Sequence, residues 1–266
     1  MKLTMLGTGH ALVTRYYNTC FVISDAEKYL LVDGGGGNTI LRQLELAGIP
    51  WFAIHDIFVT HKHTDHLLGI IWIMRRICHD MNHGEYSGEA SIYAHDEVLS
   101  ILRDMAEKLL QPKETAYIGK RLHLMEVRDG ETRNVIGHPT TFFDIGSTKA
   151  RQFGFSMELT AGEKLTCCGD EPYNDRLQSY AENSKWLLHE AFCLYEQRDI
   201  FQPYEKHHST VKEACELAES LNIPNLLLYH TEDETFPHRK ERYMQEGQQY
   251  YRNHLIVPDD LETVFL

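Results

Sequence analysis

Cysteine is sparse and dispersed. Of 266 residues only six are Cys, at positions 20, 78, 167, 168, 193 and 215, and no Cys-x-x-Cys pair occurs. A disulfide framework and a thiolate zinc site both lack their raw material. No stretch approaches the ~18 consecutive apolar residues that read as a membrane helix. The stretch from Met1 to Val13 has neither a long apolar core nor a small-residue cleavage site, so no signal peptide is read and a cytoplasmic location is expected. Positive charge is also scarce. Lys and Arg number 26 against 39 Asp and Glu, a net charge of −13. That argues against a general polyanion binder, whose affinity rests on Lys and Arg neutralising phosphates. There is no internal repeat, no low-complexity tract and no Pro-, Gly- or Ser-rich linker, so one domain spanning 1–266 is expected.

With 42% hydrophobic residues, the chain has enough for a sizeable core. Lys2–Leu6, Cys20–Ser24, Tyr29–Val32, Ile54–Thr60 and Ser91–Ala94 read as strands. Thr39–Ala47, Leu67–His79 and Glu97–Leu110 read as helices, the last ending before Pro112. The stretch from Leu122 to Thr166 is strand-like, with a hairpin of Gly154–Thr160 and Lys164–Cys168 around Ala161-Gly162-Glu163. Lys185–Leu188 and Asn225–Tyr229 read as strands, Val211–Leu221 and His238–Tyr251 as helices. Strands and helices alternate in both halves, which predicts a layered α/β domain with sheets inside and helices outside.

The abundant residue is histidine, 16 in all, and one segment concentrates it: Thr60-His61-Lys62-His63-Thr64-Asp65-His66-Leu67. It follows an apolar strand. His61 and His63, two apart in extended chain, point to one side and can share an ion. Asp65 and His66 come from the next turn and can hold a second ion nearby. Imidazole with carboxylate suits Zn²⁺, Mn²⁺ or Fe²⁺. Gly34–Gly37 lacks the Gly-Lys-Ser/Thr ending of a phosphate-binding loop and reads as a tight turn.

Leu6-Gly7-Thr8-Gly9, Leu31-Val32-Asp33-Gly34 and the histidine segment, in that order, resemble the metallo-β-lactamase fold superfamily. The resemblance runs over nearly the whole chain. Cys168-Gly169-Asp170, Leu188-His189-Glu190-Ala191, His208-Ser209-Thr210 and Leu227-Leu228-Tyr229-His230 resemble the landmarks of its ribonuclease Z-like phosphodiesterases. The resemblance implies a four-layer αβ/βα sandwich and a hydrolase with two divalent ions, zinc first and manganese or iron as alternatives. It implies that His61 and His63 hold the first ion, that Asp65, His66 and His230 hold the second, and that Asp170 bridges them. It casts Asp65, His208 and Glu190 as catalytic, with Glu190 orienting His208 as a general acid or phosphate contact. A two-ion centre polarises a phosphoryl oxygen and supplies hydroxide at neutral pH, and a His paired with a carboxylate can protonate a leaving alkoxide.

Two departures stand out. The third His of the first ion should precede Gly154-Phe155 by six or seven residues, where this chain has Ser147 and Thr148. Either Asp144 or His138 replaces that ligand, or the first site is weak or lost. The long arm with which ribonuclease Z grips tRNA is also absent, since little more than a hairpin fits between Thr148 and Asp170. The expected substrate is therefore a small phosphodiester or short nucleotide, tRNA is not expected, and no membrane partner is. Ribonuclease Z-like enzymes commonly pair, so a homodimer is open. Two rivals remain: a lactone, thioester or β-lactam hydrolase on the same fold, and a degenerate, metal-poor binding protein. The Gly-His-Thr-x-Gly-His string of the former branches is absent.

Overall fold

A computed structural model describes residues 1–160 and 162–266. Among them, fourteen strands form two seven-stranded sheets. The first contains β1 (Lys2–Gly7), β2 (Cys20–Asp25), β3 (Lys28–Val32), β4 (Ile54–Phe58), β5 (Ala90–Ala94) and β6 (Leu122–Glu126) in sequence order. The second contains β7 (Glu131–Val135), β8 (His138–Asp144), β9 (Phe153–Thr160), β10 (Glu163–Cys167), β11 (Trp186–Glu190), β12 (Asn225–Tyr229) and β13 (His254–Ile256). The last strand, β14 (Thr263–Phe265), returns to the first sheet and pairs with β1. Each sheet is antiparallel over its first strands and then turns parallel, from β3 to β6 and from β10 to β13.

Helices cover the outer faces. On the first sheet lie α1 (Thr39–Leu46), α2 (Thr64–His83), α3 (Asp96–Leu109) and the short α4 (Pro112–Thr115). On the second, the one-turn helix α5 (Gln178–Ala181) precedes β11. Another, α6 (Arg198–Phe201), follows it, and α7 (Val211–Ser220) and α8 (Arg239–Gly247) complete the cover. β12 shows why its sequence is a continuous apolar run. Leu226 and Leu228 face the helices while Leu227 and Tyr229 face the other sheet, so both sides of the strand are buried. The central core between the sheets is rich in aromatics, with Phe21, Phe58, Phe142, Phe153 and Phe155. Helix, sheet, sheet, helix is the expected αβ/βα sandwich.

Two local readings change. α2 starts at Thr64, not Leu67, because its first turn is polar for a reason other than solvent: Asp65 and His66 are buried. Pro112 opens a helix instead of only closing one, with Gln111 and Glu114 forming a capping box around it. The turn residue Ala161 of the expected hairpin lies outside the described residues, although its strands pair as expected. Gly34 and Gly69 seat α2 against the loop after β3. A Cβ on Gly69 would lie 1.7 Å from the Gly34 carbonyl oxygen, and Gly34 N donates to the His66 carbonyl at 2.8 Å. The glycine run is thus a packing turn that fixes the helix carrying Asp65 and His66.

Candidate metal centre

Parallel sheets place loops at the carboxyl ends of their strands, and ligand sites form there. Here those ends from both sheets converge. The β4 end supplies His61, His63, Asp65 and His66, and the loops after β10 and β12 supply Asp170 and His230. Both Asp33 and His230 hold positive φ, 57° and 58°, a backbone cost that clusters at functional sites.

Four donor atoms enclose a small space. His66 Nε2 lies 3.4 Å from Asp65 Oδ2 and 3.4 Å from Asp170 Oδ2. His230 Nε2 lies 3.5 Å from each of the same two oxygens. Neither imidazole nitrogen has a hydrogen-bond partner among the described residues, although all four side chains are buried. Donors about 2.1 Å from a tetrahedral zinc lie about 3.4 Å from one another. The donor set and its spacing therefore fit a divalent cation. Beside it, His61 Nε2 is 3.6 Å from Asp170 Oδ2 and 2.9 Å from His63 Nδ1, so the structure brings together the pair expected to share an ion, with His63 half-exposed. Asp170 reaches towards both groups.

Electrostatics follow the geometry. Burial would raise the Asp65 carboxyl, but His66 and His230 overcome it and hold it well below the usual carboxylate range. Asp170 is held down in the same way by His61, His66 and His230. Burial pushes His61 well below its ordinary value, as a ligand that must offer a lone pair requires.

Asp33 sets the direction of those lone pairs, a role the sequence reading did not assign. Its Oδ2 accepts from His66 Nδ1 at 2.8 Å and from Thr60 Oγ1 at 2.8 Å, and its Oδ1 accepts from Thr60 N at 2.8 Å. Thr60 Oγ1, its proton spent on Asp33, accepts in turn from His61 Nδ1 at 2.9 Å. With the ring protons on these outer nitrogens, both histidines would offer Nε2 to a cation, the arrangement that orients ligands in metal sites; without an ion, the carboxylates of Asp65 and Asp33 raise His66 well above its ordinary value against the effect of burial. The signal was the buried carboxylate ending the run Leu31-Val32-Asp33-Gly34.

Neither candidate for the missing third ligand reaches the centre. His138 sits at the far end of β8, bonded through Nε2 to Asp25 at 2.9 Å and through Nδ1 to the Glu158 carbonyl at 2.9 Å. Asp144 accepts from Gly146 N at 2.8 Å and faces Arg151 at 3.6 Å. Gln152, also unassigned from sequence, occupies the gap. It is buried, lies 3.1 Å from His61 Nδ1 and donates to Asp170 Oδ1, the oxygen turned away from His66 and His230. Ser147 bonds Glu171 at 2.5 Å, and Lys149 Nζ lies 3.4 Å from His208 Nε2.

Glu190 and His208 lie side by side. Glu190 Oε1 accepts from Ser209 N at 2.5 Å and Ser209 Oγ at 2.6 Å, which leaves Oε2 facing His208 Nδ1 at 3.6 Å. Despite full burial, the neighbouring His208 keeps the Glu190 carboxyl low. Phe192 is sandwiched between His208, stacked at 4.6 Å, and His10, stacked at 4.4 Å. His10 borders the centre, with its ring 6.3 Å from that of His230. Burial and those two neighbouring histidines lower it to about 3.

A family model described as Anti-Pycsar protein Apyc1 matches residues 1–251. Ribonuclease Z of Thermococcus sibiricus is 23% identical over 305 aligned positions, which cover 100% of this chain and 96% of that protein. An Anti-Pycsar protein Apyc1 of Bacillus phage 010DV004 is 35% identical over 71 residues, 26% of this chain and 27% of that protein. The crystal structure of the metallo-beta-lactamase fold protein YhfI from Bacillus subtilis superposes with a TM-score of 0.80 at 16% identity, covering 99% of this chain and 98% of that one.

Proposed function

The chain belongs to the Anti-Pycsar protein Apyc1 family and is a metal-dependent hydrolase of the metallo-β-lactamase fold, and from that premise we propose that it is a phosphodiesterase working on a small phosphodiester or short nucleotide with a two-ion centre, zinc first among the candidates. The observation that carries this reading is the ring of four buried donors, with two imidazole nitrogens left without partners beside a carboxylate-paired histidine. Asp65, His66, His230 and Asp170 would hold one ion, and His61, His63 and Asp170 the other. When bound, such ions supply Lewis acidity and a hydroxide nucleophile near neutral pH. Glu190 Oε2 faces His208 Nδ1 at 3.6 Å, and His208 Nε2 would be the atom that hands a proton to the departing alkoxide. Lys149, beside that nitrogen, is placed to meet a phosphoryl oxygen. The net charge of −13 and the alignment of 305 positions against a 266-residue chain both favour a small substrate over tRNA.

The test is a substrate panel on metal-loaded protein: a chromogenic phosphodiester, a lactone and a β-lactam. The diester should be cleaved. His208→Ala should cost about 10²-fold or more, as loss of a positioned general acid does, and Asp65→Ala should remove activity together with bound metal. Lactone turnover without diester turnover would replace this reading with the other hydrolase class.

A further inference from the structure

Arg239, the first residue of α8, is fully buried. A buried guanidinium is costly unless its donors are met. Nη1 donates to Thr8 Oγ1 at 2.8 Å and to Thr231 Oγ1 at 2.6 Å, and Nη2 to the Pro258 carbonyl at 2.5 Å and to Asp259 Oδ1 at 2.8 Å. The Tyr16 ring covers the group, 4.0 Å from its carbon. Thr231 follows His230, whose positive φ needs outside support. The Thr231 N donates to the Thr8 carbonyl at 3.0 Å. Asp260, next to Asp259, reaches the other way. Its Oδ1 accepts from Thr8 N at 2.9 Å and from Thr8 Oγ1 at 2.8 Å, and its Oδ2 from Tyr17 N at 2.6 Å. The Tyr17 hydroxyl lies 2.8 Å from the carbonyl oxygen of Gly34, the residue whose N–H holds the His66 carbonyl.

We propose that residues 258–260 buttress the metal centre, with Arg239 and Asp260 as positioning residues. One arm runs from Arg239 through Thr231 to His230, the other from Asp260 through Tyr17 and Gly34 to Asp65 and His66. Three observations carry this. The four donors around the second ion include groups from separate elements, the first turn of α2 and the loop after β12, and the two arms end on those elements. Each arm closes at the ligand itself or one residue away: Gly34 on the His66 carbonyl, Arg239 on Thr231. A buried ion is often no better for stability than an apolar filling of the same volume, so its four directed bonds specify where three segments lie rather than how tightly the core packs. Such precision suits a chelate, whose donors must be held within about 0.5 Å of their places. The inference rests on the two-ion reading for the cation itself, and it adds what keeps the donors apart by the right distance.

Zinc affinity, read by competition of the metal-free protein against a chromogenic chelator, tests this without turnover. Arg239→Met keeps the length of the side chain and none of its donors, and should weaken zinc binding about 10-fold or more, the lower end of what outer partners are worth. Arg239→Lys keeps the charge without the fork and should lose part of that. Asp260→Asn turns an amide N–H towards either Tyr17 N or Thr8 N and should weaken binding likewise. Thr231→Val, the same shape without the acceptor, decides the matter if Arg239→Met does not fold. Tyr251→Phe is the control for stability alone. Its buried hydroxyl donates to the Ile223 carbonyl at 2.7 Å, before the start of β12 and away from His230. That variant should melt earlier and bind zinc as before. Unchanged zinc affinity in the folded network variants, or an equal loss in Tyr251→Phe, overturns the proposal. If the unaltered chain takes up no zinc, the metal reading falls and the buttress with it. Zinc uptake and diester hydrolysis that ignore these substitutions remove the buttress alone.

Discussion

Replacing Asp33 with asparagine separates the presence of the metal-facing histidines from their orientation. The side chain keeps its shape, and its oxygen can still accept from Thr60 N, now at 2.8 Å from Oδ1. At the Oδ2 position, however, an acceptor becomes a donor. His66 Nδ1, 2.8 Å away, must then give up its proton and accept, which moves the proton to Nε2 and closes that nitrogen to a cation. Thr60 Oγ1 loses its acceptor too, and with it the contact that fixes His61. Outer partners of this kind are worth about 10–100-fold in metal affinity or activity. Because one carboxylate serves two histidines here, the loss should lie at the upper end of that range. Competition against a chromogenic chelator reads the affinity directly, and circular dichroism with thermal melting of the metal-free protein controls for folding. If Asp33→Asn folds, binds zinc like the unaltered chain and keeps its kcat/KM, the orientation argument is wrong.

Elemental analysis of protein purified without chelator should find two ions per chain, the one near His61 and His63 leaving first on dialysis because no third imidazole supports it; a single ion that zinc incubation cannot supplement would contradict the two-ion reading. Gly69→Ala should destabilise by about 2 kcal/mol or more and lower metal affinity with it, since a Cβ there meets the Gly34 carbonyl at 1.7 Å and must push α2 off its seat; an unchanged melting temperature would show that the helix yields freely. His95 is fully buried with both ring nitrogens unpartnered among the described residues, and burial, followed by Arg151, lowers its pKa below 6.5. The fold therefore prefers it neutral: the unfolded chain takes up the proton first, and stability present above 6.5 is lost as pH falls below it. His95→Phe should raise stability by about 1 kcal/mol at neutral pH and flatten that acid-side loss, measured by denaturant unfolding from pH 7 to pH 5.

The candidate centre was legible where its residues are close in sequence or carried by an ordered series of short motifs. His61, His63, Asp65 and His66 fall within six residues, Asp170, Glu190 and His230 stand at or just after a strand end, and His208 stands just before α7. Asp33 was quoted as a landmark yet given no role, because what it does depends on Thr60 and His66 arriving from another strand. His138 and Asp144 were misjudged for a different reason. Counting along the chain cannot show which end of a strand faces the site, and the seven residues of β8 span about 20 Å. Gln152 escaped because an amide has no metal-ligand signature; only the fold puts it between His61 and Asp170. Strands were read from apolar runs and their arrangement as an αβ/βα sandwich from the resemblance, whereas β13 and β14, three residues each, are too short for any periodicity to register.

The ring of four donors is divided evenly between the halves of the chain. Asp65 and His66 stand on the first sheet's side and Asp170 and His230 on the second's, while β14 crosses back to zip against β1. A cut in the loop between β6 and β7 would give two fragments, each holding half a chelate and neither able to close it. Their reunion would be reported by metal uptake alone, and a chelator would act on that partnership as a solvent acts on glue. An ion held there would be, in this sense, a rivet through the sandwich as well as a reagent.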